Sequence, residues 1–341
     1  MRALVLSGGS GTRLRPFSYS MPKQLIPIAN RPVLEHVLDN IRDCGVTEVG
    51  IVVGHWSSEI ARVIGDGGRL GMRVTYIPQH EPLGLAHAVR LARPFLGDDD
   101  FVMYLGDNML PDGIAGIAED FRAERPAAQV VVHRVPDPRE FGVVELDAAG
   151  GVRRLVEKPA HPLSDLALVG VYFFTAAIHE AVEAIRPSRR GELEITDAIQ
   201  WMLARGAAVK ATEYRGYWKD TGKAEDVLEC NRRLLGALGD QVLVAPGARV
   251  VRSVVTGPAI IGPGTLVEDC HLGPNVSVGE GCVLRGTRLA DSIVLDGASI
   301  SDVPGLYGSI IGRGAVVGPT RPGAARHRLL VGDHTRVEIS A

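Results

Sequence analysis

Up to about residue 235 the chain alternates between short apolar runs rich in β-branched residues and longer runs whose apolar positions recur at helical spacing. That alternation predicts an α/β fold layered around a mixed, mainly parallel sheet. Strands are expected at Arg2–Leu6, Glu48–Val53, Arg73–Ile77, Phe101–Leu105, Gln129–His133, Arg153–Val156 and Leu168–Phe174. The clearest helix is expected from Pro32 to Cys44. Proline opens it, Val33, Leu34, Val37, Leu38 and Ile41 form one apolar stripe, and Gly45 closes it.

Beyond about residue 240 the pattern changes. Every sixth residue from Val242 is aliphatic or alanine: Val242, Ala248, Val254, Ile260, Leu266, Leu272, Val278, Leu284 and Ala290. Beside this column lie Ile261-Gly-Pro-Gly, Leu272-Gly-Pro-Asn, Val278-Gly-Glu-Gly and Ile311-Gly-Arg-Gly. A six-residue period with glycine at the turns predicts a hexapeptide parallel β-helix, each face of a triangular coil turning one aliphatic residue inward. At about eighteen residues per coil this gives roughly four to five coils. Ile261 and Leu272 are eleven apart and the column breaks at Asp296, so an irregular coil is expected around Asp302–Gly308. The expected domains are 1–239, and 240–341 with an irregular C-terminal tail.

The 341 residues fit about two domains. With 37 Lys plus Arg against 40 Asp plus Glu, the formal charge of -3 argues against a general nucleic-acid or anionic-membrane binder. The basic stretch Arg321–Arg328 has no interleaved aromatic residues and reads as a surface segment. No apolar run approaches the length of a membrane span, and Cys44, Cys230, Cys270 and Cys282 lack metal-ligand spacing. These features predict a cytoplasmic protein with ordinary thiols. Only five residues are lysine: Lys23, Lys158, Lys210, Lys219 and Lys223.

Candidate chemistry begins directly after the first expected strand, with Leu6-Ser-Gly-Gly-Ser-Gly-Thr-Arg-Leu-Arg-Pro. A glycine-rich loop lets backbone N–H groups approach phosphate oxygens, and a following arginine adds a forked donor. Two common phosphate motifs fail: Gly11 is followed by Thr12 rather than lysine, and a dinucleotide fingerprint begun at Gly9 would need glycine where Leu14 stands. The segment continues to Met21-Pro-Lys-Gln-Leu.

Together the two halves resemble the signature of the sugar-1-phosphate nucleotidylyltransferases. The resemblance continues through Gln79-His-Glu-Pro-Leu-Gly-Leu-Ala-His-Ala, Leu105-Gly-Asp-Asn, Glu140-Phe-Gly-Val-Val, Val156-Glu-Lys-Pro, Val169-Gly-Val-Tyr, Arg190-Gly-Glu-Leu-Glu-Ile-Thr-Asp and Trp218-Lys-Asp-Thr-Gly. It is strongest to the members that use dTTP and glucose-1-phosphate, in their long form with an appended left-handed β-helix. It implies a Rossmann-like, glycosyltransferase-A-like catalytic domain and transfer of a nucleotidyl group to the sugar phosphate.

The resemblance also implies residue roles. Leu6, Gly8, Gly9, Gly11, Thr12, Arg13 and Gln24 would serve the nucleotide, with Arg13 and Lys23 on the triphosphate. Gln79 and Gly84 would select thymine, although a methyl-sized difference discriminates weakly and leaves UTP open. Asp107 and Asp220 would seat Mg2+. Asn108, Gly142, Glu157, Lys158, Gly170, Arg190 and Trp218 would serve the sugar phosphate, with Lys158 and Arg190 on its phosphate group. The β-helix would be an assembly element of a homo-oligomer, with a tetramer expected. The same chemistry on another nucleoside triphosphate, hexose or cyclitol phosphate is the alternative.

Overall fold

The computed structural model describes residues 1–9 and 11–319. The C-terminal tail and the Arg321–Arg328 stretch lie outside them. Contacts divide the chain into two compact units: residues before Gly11 with Leu34–Asp220, and Gly11–Val33 with the chain from Thr221 onward. The expected boundary is 239/240; here Gly11–Val33 and the last helix group with the repeats, while Gly8 and Gly9 stay with the sheet.

The first unit is built on a nine-stranded mixed sheet. Its strands are β1 (Arg2–Ser7), β2 (Glu48–Val53), β3 (Arg73–Pro78), β4 (Phe101–Leu105), β5 (Ala128–Arg134), β6 (Gly142–Leu146), β7 (Val152–Glu157), β8 (Leu166–Phe174) and β9 (Val209–Glu213). Neighbours run β7-β6-β8-β4-β1-β2-β3, while β5 pairs with β8 and β9. The run β4-β1-β2-β3 is parallel. Strand β8 reverses direction against β4, β5 and β6. All nine of its residues, LALVGVYFF, are buried, as expected of a strand covered on both faces. Helices Leu85–Leu91 and Ile195–Ala204 pack into one cluster with Leu4, Phe101, Met103 and Phe174.

The seven expected strands are present within two residues at each end. Strands β6 and β9 escaped the pattern. β9 reads VKATE, only half-buried and paired on one side, so nothing forces an apolar run there. The expected helix at Pro32–Cys44 is Val33–Asp43. Pro32 instead joins Arg31 in a two-residue strand opposite Pro27–Ile28. Between them Ala29 and Asn30 have φ of 50° and 58°, both positive as in a type I′ hairpin turn.

Within the second unit this hairpin is tied to the helix Ala224–Gly236 and to the repeats. The buried Oδ1 of Asn231 accepts from the Ala29 backbone N–H at 2.9 Å and from the Ser277 hydroxyl at 2.9 Å. Asn30 Nδ2 donates to the Val278 carbonyl at 2.6 Å. Asn231→Ala would strand two donors, which predicts a loss of about 2–4 kcal/mol. Urea unfolding checks it, and an unchanged midpoint would contradict it.

The repeats form three parallel sheets, consistent with a left-handed β-helix. The first joins Val242–Val244, Ala259–Ile261, Val276–Val278, Ile293–Val294 and Ile310–Ile311; the others stack in the same way. The coil is shorter than the expected eighteen. Val242 pairs with Ala259 and Ala259 with Val276, a step of seventeen, with steps of sixteen from Ser277 to Ile293 and from Val283 to Ser299. The inward series is Ile261, Val267, Leu272, Val278, Leu284, Leu289, so two steps of six and one of five make up each seventeen-residue coil. A strict six-residue column therefore drifts off the core: Val254 is 56 % exposed, and Val267 rather than Leu266 is fully buried. The eleven-residue gap from Ile261 to Leu272 is the normal six-plus-five step. The expected irregular coil at 302–308 does bulge after Ser301, but Leu306–Tyr307 returns to the third sheet beside Leu289 and Ala290.

Candidate active site

In the first unit, the C-terminal ends of β1 to β4 gather the candidates, as in other open α/β sheets. Leu6 is a core residue of β1 whose carbonyl accepts the Gly106 N–H at 2.9 Å, fixing the turn that carries Asp107. Gly8 and Gly9 follow the strand. A Cβ on Gly8 would lie 3.2 Å from Gln79 Oε1, and one on Gly54 would lie 3.4 Å from the Gly8 carbonyl oxygen. Three strand ends thus meet in a space that side chains on the glycines would fill.

The rest of the glycine-rich motif belongs to the second unit. Gly11, at φ 63°, precedes a 3-10 turn Thr12–Leu14 in which Leu14 is buried and Arg13 is exposed. A second turn, Lys23–Leu25, follows extended Pro22. A Cβ on Gly11 would lie 3.6 Å from Lys23 Cβ, so the two halves of the motif adjoin. Gln24 is 1 % exposed, and its Oε1 has no hydrogen-bond partner among the described residues.

Gln79 closes β3. Its Nε2 lies 3.3 Å from the Gly84 carbonyl and 3.0 Å from His87 Nδ1. Gly84 has φ 106°, and a Cβ there would fall 2.7 Å from the Leu193 backbone nitrogen. Its glycine is required by that backbone approach, a different reason from clearance for a base. Gly84→Ala combines strain with collision and predicts a loss of about 2–4 kcal/mol, checked by thermal unfolding.

Asp107 and Asn108 follow β4. Asn108 pairs with Asp220, and Met109 with Lys219, in a two-stranded antiparallel ladder. This places Asp220 one residue across from Asp107, bringing together two motifs far apart in sequence. Asn108 Nδ2 donates to Asp107 Oδ1 at 3.1 Å, and Asn108 Oδ1 accepts from Trp218 Nε1 at 2.8 Å. Trp218 is held edge-on against Phe141 at 5.2 Å between ring centres. Gly170 has φ 81°, and a Cβ there would come within 3.1 Å of Asn108 Nδ2. The indole, the amide and the bare glycine together fix the orientation of Asp107. Asp107, on the turn after β4, and Asp220, on the strand paired with Asn108, both carry carboxylates, hard oxygen ligands of the kind Mg2+ takes.

Glu157 ends β7 opposite Gly142 on β6. The Thr196 hydroxyl donates to its Oε2 at 3.2 Å, and a Cβ on Gly142 would stand 3.2 Å from the same oxygen. Burial, reinforced by the neighbouring Glu194, raises the Glu157 pKa, while Thr196, Lys158 and Arg190 oppose the shift. Lys158 has φ 40°, a left-handed conformation that is uncommon and costly for lysine. Its N–H donates to the Phe141 carbonyl at 3.0 Å, which helps hold that geometry.

Arg190 departs most from expectation. Its guanidinium contacts Glu157 at 3.4 Å, Glu194 at 3.3 Å and Glu192 at 3.1 Å. Three carboxylates would compete with a phosphate for this guanidinium. Sequence reasoning assigned no role to Phe141, Thr196, Glu194 or His87, although each lies in a quoted motif.

The chain belongs to the nucleotidyl transferase family, whose model, Nucleotidyl transferase, matches residues 2–236. It is 51 % identical to the glucose-1-phosphate thymidylyltransferase of Streptomyces griseus and 49 % identical to that of Streptomyces antibioticus, each alignment covering the whole of both chains. A low-salt glycan biosynthesis nucleotidyltransferase of Haloferax volcanii is 40 % identical over 99 % of this chain and all of the relative. Among solved structures, a putative glucose-1-phosphate thymidylyltransferase from Bacillus anthracis in complex with sucrose superposes with a TM-score of 0.64 at 32 % identity, covering 68 % of this chain and 94 % of that one. Among the described residues no helix is long and apolar enough to cross a membrane.

Proposed function

We propose that the chain transfers the thymidylyl group of dTTP to glucose-1-phosphate, giving dTDP-glucose and pyrophosphate. The observation that supports this most is the pairing of Asp220 with Asn108 beside Asp107. It supports a two-carboxylate seat at the C-terminal edge of the sheet.

A phosphate oxygen of the sugar phosphate attacks the α-phosphorus of dTTP. The bond from that phosphorus to the β-bridging oxygen breaks, and pyrophosphate leaves. No general base is required, because the attacking oxygen is already ionised near neutral pH. The protein's work is alignment and neutralisation of charge between two polyanions. Backbone N–H groups near Gly8, Gly9, Gly11 and Thr12 receive phosphate oxygens, and Arg13 and Lys23 neutralise the triphosphate. Gln24 offers an amide to the nucleotide ribose. Gln79, with the backbone at Gly84, reads the pyrimidine edge.

Glu157 accepts from sugar hydroxyls, Lys158 holds the sugar phosphate, and Asn108, Trp218, Gly142 and Gly170 shape the sugar site. Arg190 adds a further contact to the phosphate. Asp107 and Asp220 would hold Mg2+, which when bound polarises phosphate oxygens as a Lewis acid.

Two experiments bear on this reading. Pyrophosphate release across the nucleoside triphosphates with glucose-1-phosphate should favour dTTP, with UTP second; a purine preference would overturn the base assignment. Glu157 must be ionised to accept two hydroxyls, and its raised pKa means that it protonates at higher pH than an exposed glutamate. The KM for glucose-1-phosphate should therefore rise on acidification from above the ordinary glutamate range. A Glu157→Gln chain should show a raised KM without that acid limb.

The first coil exposes Leu243, Val244, Val250 and Val254, which supports its packing in a homo-oligomer, with a tetramer expected. Small-molecule substrates, rather than nucleic acid or membrane, are its expected partners, and its expected compartment is the cytoplasm.

A further inference from the structure

The Gln79 amide has two ends of opposite hydrogen-bonding sense, and which end faces the ligand decides which base fits. Its nitrogen end lies 3.3 Å from the Gly84 carbonyl oxygen. A carbonyl oxygen only accepts, so the nitrogen belongs there. The same nitrogen is 3.0 Å from His87 Nδ1, which must then also accept. His87 is therefore neutral, with its proton on Nε2. The oxygen end of Gln79 is left on the side of Gly8, where a Cβ would stand only 3.2 Å away.

We propose that His87, acting through Gln79, sets the hydrogen-bonding sense of the base site, so that the site presents an acceptor to a base with a ring N–H. Thymine and uracil carry that imide proton at the pyrimidine edge. Cytosine carries a lone pair at the equivalent nitrogen and meets the Gln79 oxygen with repulsion. The inference deepens the proposed function and rests on its assignment of Gln79 to the base.

His87 is a positioning residue, since it is assigned to act through its contact with Gln79. It sits on the first turn of the helix Leu85–Leu91 and is 9 % exposed. Burial and Arg90 on the same helix hold its ionisation below the ordinary histidine value, against Glu81 in the preceding loop. A protonated His87 would turn an N–H toward the amide nitrogen. The amide could escape only by setting its own oxygen against the Gly84 carbonyl.

The test is steady-state kinetics of the full-length chain with dTTP and dCTP, comparing wild type, His87→Leu and His87→Asn. The leucine removes the acceptor. The asparagine places a side-chain oxygen near the position of Nδ1. His87→Leu should raise the KM for dTTP about tenfold, the scale of one hydrogen bond, with kcat little changed. It should also narrow the preference for dTTP over dCTP in kcat/KM. His87→Asn should restore both toward wild type. His87→Ala carries the same expectation as leucine and serves if leucine crowds the helix.

Variants that melt as wild type with unchanged KM and unchanged preference would overturn the assignment, as would an asparagine chain as impaired as the leucine one. Failure of the wider reading looks different: a wild-type chain that turns over a purine triphosphate and not dTTP overturns the proposed function and this assignment with it.

Discussion

Lys23→Ala is expected to lower kcat for pyrophosphate release by about a thousandfold while leaving the thermal unfolding midpoint within about 2 °C. Lys23 opens a 3-10 turn whose next two residues, Gln24 and Leu25, are buried. The turn is anchored by those neighbours and by Pro22, so loss of the ammonium should leave its backbone in place. In the proposed reaction negative charge builds on the departing pyrophosphate, and a compact cation contributes most when the charge is greatest, in the transition state. The loss should therefore fall on kcat more than on KM. Lys23→Arg should recover little, because a planar fork does not replace a compact point charge. Equal turnover by the alanine chain would remove Lys23 from the mechanism.

Asp220→Asn, and likewise Asp107→Asn, is expected to lower activity by about a hundredfold to a thousandfold and to raise the Mg2+ concentration needed for half-maximal rate. Asparagine keeps the size of the side chain and removes the charge. The ladder of Asp220 with Asn108 is made through the backbone, so it survives the change. What is lost is half of the anionic charge of the proposed seat, and affinity for a hard dication follows ligand charge. A Mg2+ titration of rate separates this from a folding defect: an unchanged half-maximal concentration in a folded variant would contradict the seat.

How much of this was legible in the sequence depends on what each residue's role requires of its neighbours. Strand β8 announced itself through the apolar run Leu168–Phe174, although the structure begins it two residues earlier. The repeats announced themselves too, but the six-residue column concealed a seventeen-residue coil, since one shortened step per coil moves the inward position from Leu266 to Val267. Strand β9 was silent because an edge strand with exposed positions needs no apolar run.

The site divides in the same way. Asp107, Asp220 and Glu157 stand in motifs whose residue types already state their chemistry. Their orientation does not, because Trp218 reaching Asn108, or Gly170 making room for it, is a relation between residues distant in sequence. Arg190 looked like a phosphate ligand by type, and its three carboxylate partners became visible only in space. The scarcity of lysine points to the site only in part. Lys158 occupies a strained backbone position beside Glu157, whereas Lys210 makes an ordinary ion pair with Glu124 at 2.6 Å.

The central claim is that a phosphate oxygen of the sugar phosphate becomes bonded to the α-phosphorus of dTTP. Mass spectrometry of the products formed with dTTP, Mg2+ and glucose-1-phosphate labelled with 18O in its phosphate group tests that most directly. The account predicts that all of the label appears in dTDP-glucose and none in pyrophosphate. Label in pyrophosphate, or turnover of dTTP without a nucleotide sugar, would contradict it.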